Sequence, residues 1–467
     1  MQLTFRQENF LMLKIKSIIL IISCFMPFNY VYGGDGYEKD HNRLILQPKM
    51  PLVQASQADT DLRHDVRFFG AIGDGHHDDT QSIKNAIQKT DEGETIFFPS
   101  GKYLVTSPII IEKSSINIMG CNAEIIFRPV KNQKLKFHSL NGENSYQREI
   151  PSSVFLIKGN LEIPDYKVSG NYVENAYRLK FTTPVKQLSK NDLVIVASSD
   201  HERQDIIRKK KLYLRRDPSF ISYIDHVEKD TIVIADSLPF ALEAKNNPIV
   251  FKIHPVVNVR ISDLTITIDP AMPNKENISG VTLIYAAGSI VKNISMRYAS
   301  KESINLQYCY QCDIKECKLN DMLNHISASD LGVNIDHSHF CLIRSNDIAN
   351  CRNGVLLNHG NSNCVIENNE IKGTPWASID LHGEFNCYNI IRANLIYKSK
   401  AGIVVGSDKE KHYNDGLFNE LIGNKIADCD IGIQINNKTP STIIGDNWIN
   451  DGYGENRLMM IRLTGTF

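Results

Sequence analysis

The sequence predicts an all-β fold: a right-handed parallel β-helix with an N-terminal capping helix and an inserted β subdomain. Three observations lead there. First, a phrase of the form aliphatic-x-x-Asn-x-Ile recurs at Ile343–Ile348, Ile366–Ile371, Ile391–Ile396, Leu421–Ile426 and Ile444–Ile449. Degenerate copies stand at Ile261–Ile266, Val291–Met296 and Ile314–Leu319, and the closing residues of successive copies lie 23 to 30 residues apart. Periods of this size mark a solenoid, whose units bury their apolar faces only against their neighbours. Second, short alternating runs such as Ile431-Gly432-Ile433-Gln434-Ile435 read as strands and leave no room for a helix within the unit. Third, Asn346, Asn369, Asn394, Asn424 and Asn447 recur at one phase. Asn takes the left-handed turn conformation cheaply, and its amide can bond the Asn one coil away, across ~4.8 Å. Cys312, Cys341 and Cys364 share a phase as well and are expected to form an inward-facing thiol column.

The chain has 467 residues, 42% hydrophobic and 22% charged, with a net charge of −1. A balance so near zero gives no argument for nucleic acid or a membrane surface as partner. Read from Met12, a better start than Met1, the N-terminus offers Lys14 and Lys16, an apolar run from Ile18 to Met26, and Val31-Tyr32-Gly33. That is the pattern of a secretory signal over 1–33, and the run is too short to span a bilayer. The protein is therefore expected to be exported, to the periplasm or beyond, with no transmembrane span in the mature chain. Ile21-Ile22-Ser23-Cys24 also resembles a bacterial lipoprotein box, which would anchor the chain at Cys24. A cleaved, soluble form is the favoured reading. The remaining cysteines, Cys309-x-x-Cys312 included, are odd in number and phase-matched, which suits buried small hydrophobes better than disulfides or metal ligands.

Residues 34–64 read as a polar linker, and 65–129 as the cap and first coils. Within the cap, Asp65-Val66-Arg67-Phe68-Phe69-Gly70-Ala71-Ile72-Gly73-Asp74-Gly75 leads into His76-His77-Asp78-Asp79-Thr80. A helix is expected from about Thr80 to Lys89, then a strand Thr95 to Phe98 and the phrase Pro99-Ser100-Gly101-Lys102-Tyr103. Asp78 or Asp79 is expected to cap the helix, which accounts for the His-His-Asp-Asp cluster better than a metal site does. This stretch of about 45 residues resembles the N-terminal segment of the pectate-lyase-like superfamily of right-handed β-helices. That superfamily includes polygalacturonases, mannuronan C5-epimerases and phage tailspike depolymerases, so the resemblance implies the fold more than a reaction.

Across 130–252 the repeat phase is lost. Leu193 to Val196 and Thr231 to Ile234 read as strands of an inserted β subdomain. Between them the basic run Arg208 to Arg216, which includes Tyr213, reads more readily as a solvated loop than as a clamp for an anionic polymer with Tyr213 as a sugar-stacking face. Residues 253–467 are the coils that carry the groove.

Stacking the strands by phase gives outward-facing columns: Thr282 and Ile284, Asn305 and Gln307, Ser327 and Ser329, Leu356 and Asn358, Asp380 and His382, Val404 and Gly406, Gln434 and Asn436. One coil alone puts a carboxylate and an imidazole there. Residues two apart on a strand share a face, so Asp380 and His382 are expected to point together into solvent. Asp330, His359 and Glu384 are expected to reach the same patch, with Asn358 and Trp376 beside it and Lys398 and Lys400 one turn along. Convergent titratable groups in a groove mark a site.

Asp380-Leu381-His382 is similar to the Asp-Pro-His of mannuronan C5-epimerases, with Leu381 in place of proline and Ala377 where that family has tyrosine. Polygalacturonases differ more: their Asp-Asp pair is replaced by Asn353-Gly354. The reading that follows is an enzyme on an acidic polysaccharide that removes a C5 proton, as a lyase or epimerase. His382 is the base, Asp380 its partner and His359 a second acid/base. Lys398, Lys400 or a Ca2+ ion would neutralise charge, though nothing in the sequence demands a cofactor. The rival readings are a glycoside hydrolase pairing Asp380 with Glu384 or Asp330, and a non-catalytic glycan-binding β-helix.

Overall fold

The computed structural model describes residues 63–464 apart from 131–134, 142–143, 200–217, 272–276, 321–329, 407–416, 437–440 and 451–460. The signal segment, Cys24, nearly all of the linker and the basic run at 208–216 lie outside the described residues.

The chain winds into a parallel β-helix. One face is a ten-stranded parallel sheet running from Ile109–Ile111 through Ser152–Lys158, Ile278–Ile284, Glu302–Gln307, Leu331–Asp336, Asn353–Leu357, Ala377–Leu381, Ala401–Val405 and Ile431–Asn436 to Ile461–Thr464. Short strands on the other faces carry the repeated phrase, and its register is the one the sequence implies. Ile261, Val291, Ile314, Ile343, Ile366, Ile391, Leu421 and Ile444 pair in succession. So do Ile266, Met296, Leu319, Ile348, Ile371, Ile396, Ile426 and Ile449. Each aliphatic sits on the one a coil below, and most of these side chains are fully buried in one continuous core.

The Asn column is a hydrogen-bonded ladder. The Nδ2 atoms of Asn346, Asn369, Asn394 and Asn424 each donate to the Oδ1 of the next Asn, at 2.8–3.0 Å. The left-handed residue is not the ladder Asn, as the sequence suggested, but the one before it: Ser345, Asn368, Ala393, Gly423 and Asp446 all have φ between 51° and 65°. The reason is geometric. The amide must face inward to reach its neighbour, so the bend falls on its predecessor. The thiol column forms as expected, with Cys312, Cys341 and Cys364 buried and free. Burial pushes the Cys312 and Cys341 thiols far above their usual range. Past Cys364 the column continues in amides, the Cys364 N–H donating to Asn389 Oδ1 (3.0 Å) and Asn389 Nδ2 to Asn419 Oδ1 (3.0 Å).

The cap helix spans Thr80–Lys89 and buries Ile83, Ala86 and Ile87. Asp79 takes the N-cap position without a side-chain cap bond, while Asp78, one residue earlier, accepts from the Thr80 N–H through Oδ1 at 3.0 Å. Asp79 instead accepts from the Ile72 and Gly73 N–H groups and pins the preceding turn. The coil stack bridges the phase-free region directly, because Asn117–Phe127 pairs with Arg260–Ile268. The 130–252 stretch is therefore two excursions rather than one insert. Ser152–Lys158 returns to the ten-stranded face between them, where Val154, Phe155 and Ile157 join the solenoid core. The first excursion is the hairpin Leu135–Asn141/Asn144–Ile150, and the second is a six-stranded sheet that includes Leu193–Ala197 and Thr231–Ile234.

Cutting the ladder should cost stability without touching the surface. Asn394→Ala removes bonds to Asn369, Asn424 and the Ile366 carbonyl, leaving buried polar groups unmatched at about 1–3 kcal/mol. The expected result is a lower urea midpoint at unchanged slope, read by circular dichroism.

Candidate active site

The outward columns of the ten-stranded face follow the expected register except at one coil. Thr282, Asn305, Asn334, Leu356, Asp380, Val404 and Gln434 align in sequence. The coil assigned to Ser327 and Ser329, which lie outside the described residues, is filled instead by the strand Leu331–Asp336. Its extra residues precede the strand, so Asn334 and Asp336 take the outward positions. Two consequences follow. Asp330 comes before its strand rather than after it, buried at the level of Arg352, whose N–H donates to the Asp330 carbonyl at 2.8 Å. And Asp336 with His337 joins the site unannounced.

Three imidazole–carboxylate pairs result on successive coils. His337 Nδ1 lies 2.7 Å from Asp336 Oδ1, and both are buried. His359 Nδ1 lies 3.4 Å from Glu384 Oε2. His382 Nδ1 lies 3.9 Å from Asp380 Oδ2, an ion-pair distance rather than a hydrogen bond. The last two imidazoles reach the surface, with side-chain exposures of 19% for His359 and 39% for His382, over carboxylates that are essentially inaccessible. The His359 ring continues a column of stacked rings, Tyr285 on Tyr308 at 5.2 Å, Tyr308 on His337 at 4.9 Å and His337 beside His359 at 6.4 Å. Beneath it Gly383, at φ 84°, leaves the space a side chain would occupy: a Cβ there would fall 2.1 Å from His359 Nδ1.

Asp380 does not point into solvent as expected. Asn353 Nδ2 donates to its Oδ2 at 3.1 Å. Burial raises the Asp380 carboxyl above its usual range, opposed by the charges of His382 and Arg352. Trp376 is itself sandwiched between two cations, the Arg352 guanidinium at 5.0 Å and the Lys400 ammonium at 5.1 Å from the ring centre. Lys400 reaches the Trp376 ring from just ahead of the strand Ala401–Val405. Lys398 precedes that strand too, in the left-handed turn after Leu395–Tyr397, whereas His359 and His382 follow the far ends of their strands. Asn358 aligns beside His382 and is partly exposed. From the hairpin, Arg148 donates to Asp336 Oδ2 at 3.1 Å and Gln307 Oε1 at 3.0 Å.

Arg148, Arg352, Asn353, Asp336 and His337 were not foreseen. Asp336-His337 had a signal, since it stands five residues before Cys341 as Asn358-His359 stands six before Cys364. Gly360 absorbs the extra residue there, and that drift hid the match. Among the described residues no three His, Cys, Asp or Glu side chains converge as metal ligands. No helix of the described residues is long and apolar enough to cross a membrane.

A parallel β-helix with paired imidazoles on an outer face is the class this geometry defines. Residues 64–150 match the family model for rhamnogalacturonase A/epimerase, pectate lyase-like, and residues 257–454 match that for the periplasmic copper-binding protein (NosD). Copper does not fit the column thiols: Cys309 and Cys312 are buried, which raises both thiols well above their usual range, and both donate to backbone carbonyls. Alginate lyase 7 of Azotobacter vinelandii is 28% identical over 158 residues, 30% of this chain and 18% of that protein, so the chain spans under a fifth of that relative. Two solved structures share the fold. The tailspike gp61 of Pseudomonas phage phi297 aligns at TM-score 0.54 and 12% identity, over 82% of this chain and 68% of its own. The gp54 tailspike of Acinetobacter baumannii bacteriophage AP22, in complex with capsular saccharide, aligns at 0.54 and 11%, over 86% and 74%. The chain folds as a parallel β-helix, and its N-terminal part, residues 64–150, matches a pectate-lyase-like family model.

Two predictions test the site's construction. Gly383→Ala should displace the His359 ring, shifting its imidazole NMR signals while leaving those of buried His339 in place. For Asp380 the sign follows from its raised value: the folded state holds the proton more tightly than the unfolded chain, so stability falls as pH rises through the folded value. Asp380→Asn removes that dependence, and its melting temperature relative to wild type should climb from acid to neutral pH.

Proposed function

We propose that the protein acts on an acidic polysaccharide by abstracting the C5 proton of a uronate residue, as a lyase or epimerase. The observation that carries this reading is the pair of surface imidazoles on adjacent coils, each set on a buried carboxylate, with the Arg352–Trp376–Lys400 cluster at the other end of the same strands. Each buried carboxylate faces Nδ1 of its imidazole and leaves Nε2 to act as the base. His382 takes the C5 proton, and the electron pair moves into the uronate carboxylate as an enolate. Arg352 and Lys400 stabilise that charge. In elimination the C4–O bond then breaks, the C4–C5 double bond forms and His359 gives its proton to the departing oxygen. In epimerisation a proton returns to C5 from the opposite face.

Similarity to an alginate lyase and to a family model named for an epimerase supports this reading. Export belongs to it too, on the signal-like N-terminus and the periplasmic description of the second family model. The cation cluster favours an anionic substrate over a neutral one. Asn353 bonds Asp380 where a hydrolase would need a second carboxylate.

The test is incubation with a panel of polyuronates, read by ultraviolet absorbance of unsaturated ends and by proton NMR of C5 configuration. His382→Ala should lower whichever rate is seen by about 10²–10⁴-fold while the fold persists. Undiminished turnover in that variant, or release of saturated reducing ends alone, would refute the assignment.

A further inference from the structure

Resting on that reading, we propose that the site recognises the end of its polysaccharide chain rather than an internal stretch. The groove of the ten-stranded face runs along the solenoid axis, but the hairpin Leu135–Asn141/Asn144–Ile150 closes it on the N-terminal side. The outward residues Thr282, Asn305, Gln307, Asn334 and Asp336 are all 3% exposed or less, whereas the His382 side chain, in the column of Gln307 and Asp336, is 39% exposed. One coil further on, Leu356 and Asn358 become accessible.

The covering hairpin is packed down rather than hovering. Phe137 meets Tyr285 and Tyr308 edge-on at 6.1 and 6.4 Å, and joins Leu140 and Ile150 in one buried cluster with both tyrosines. The Leu140 N–H donates to Tyr308 Oη at 3.1 Å, and Tyr285 Oη donates to the His138 carbonyl. Arg148 finishes the wall, its guanidinium held by Gln307 and buried Asp336 and backed by the Phe137 ring. A wall tied by buried aromatics and a charge-assisted bond does not swing aside to admit a polymer.

The wall's position sets the length of the subsite. Asp336, beneath Arg148, and His382 are separated by the single coil of Asn358. Two coil spacings are roughly 10 Å, room for one or two sugar units and no more. A chain bound over His382 must therefore terminate against the hairpin, and the released product is a mono- or disaccharide. The cationic face of Arg148 suits a uronate carboxylate on that terminal unit.

Binding measured with the His382→Ala variant separates this proposal from the function on which it rests. Size-fractionated polyuronates, compared per mole of chain, should bind with a Kd that changes less than about twofold over a tenfold increase in length. A groove reading internal residues would tighten about tenfold, its binding registers having multiplied with length. The latter result overturns chain-end recognition and leaves the proposed chemistry standing. Absence of binding to any polyuronate overturns both. Wild-type product analysis at low conversion gives the second readout: mono- and disaccharides from the outset support the proposal, and a broad oligomer ladder with rapid loss of viscosity contradicts it.

Discussion

Parallel pairing in register, coil upon coil, is the constraint on which everything else here depends. A single-residue slip in a strand exchanges its inner and outer faces. The two aliphatic columns and the Asn ladder prevent that slip by different means. Ile366 and Ile371 fill fixed positions against Ile343 and Ile348, while Asn369 bonds its counterparts above and below. Apolar stacking alone would tolerate sliding, and the amide ladder makes any other register cost buried hydrogen bonds. Only with that register held do His359 and His382 emerge on neighbouring coils.

The site then uses burial as its chemical instrument. A carboxylate beneath an imidazole, shielded from water, is held where its charge acts on the ring and not on the solvent. Asp380 shows the opposing influences directly: burial favours its neutral form, and His382 and Arg352 favour the charged one. The acids are sunk while the cations and imidazoles are outermost, so the surface offered to a ligand is basic in a chain of nearly neutral total charge. The stack from Tyr285 to His359 adds stiffness, and it ties the hairpin to the same column that ends in an exposed imidazole.

Much of this was legible in the sequence because repetition reports on itself. The eight phrases set the coil, the cap helix was bounded correctly at Thr80 and Lys89, and the outer columns were countable wherever coils kept their length. Legibility failed where residues are added between strands. The longer coil before Leu331 shifted the count, hiding Asp336 and His337 and putting Asp330 at the wrong end. Lys398 shared a coil with the site but not an end of the sheet. Arg148 lies far away in sequence on a hairpin with no repeat phase, and Arg352 and Lys400 meet the Trp376 ring from two different coils. Contacts of that kind are made by the fold, and no local spacing encodes them.

The most direct measurement is a crystal structure of the His382→Ala protein with a short oligouronate. A uronate ring over Asn358 and position 382 is the predicted result, with its carboxylate toward Arg352 and Lys400, its C5–H facing the vacated imidazole and its terminus against Arg148. A saccharide seated on another face of the solenoid, or an imidazole at 359 turned into the core, would contradict it.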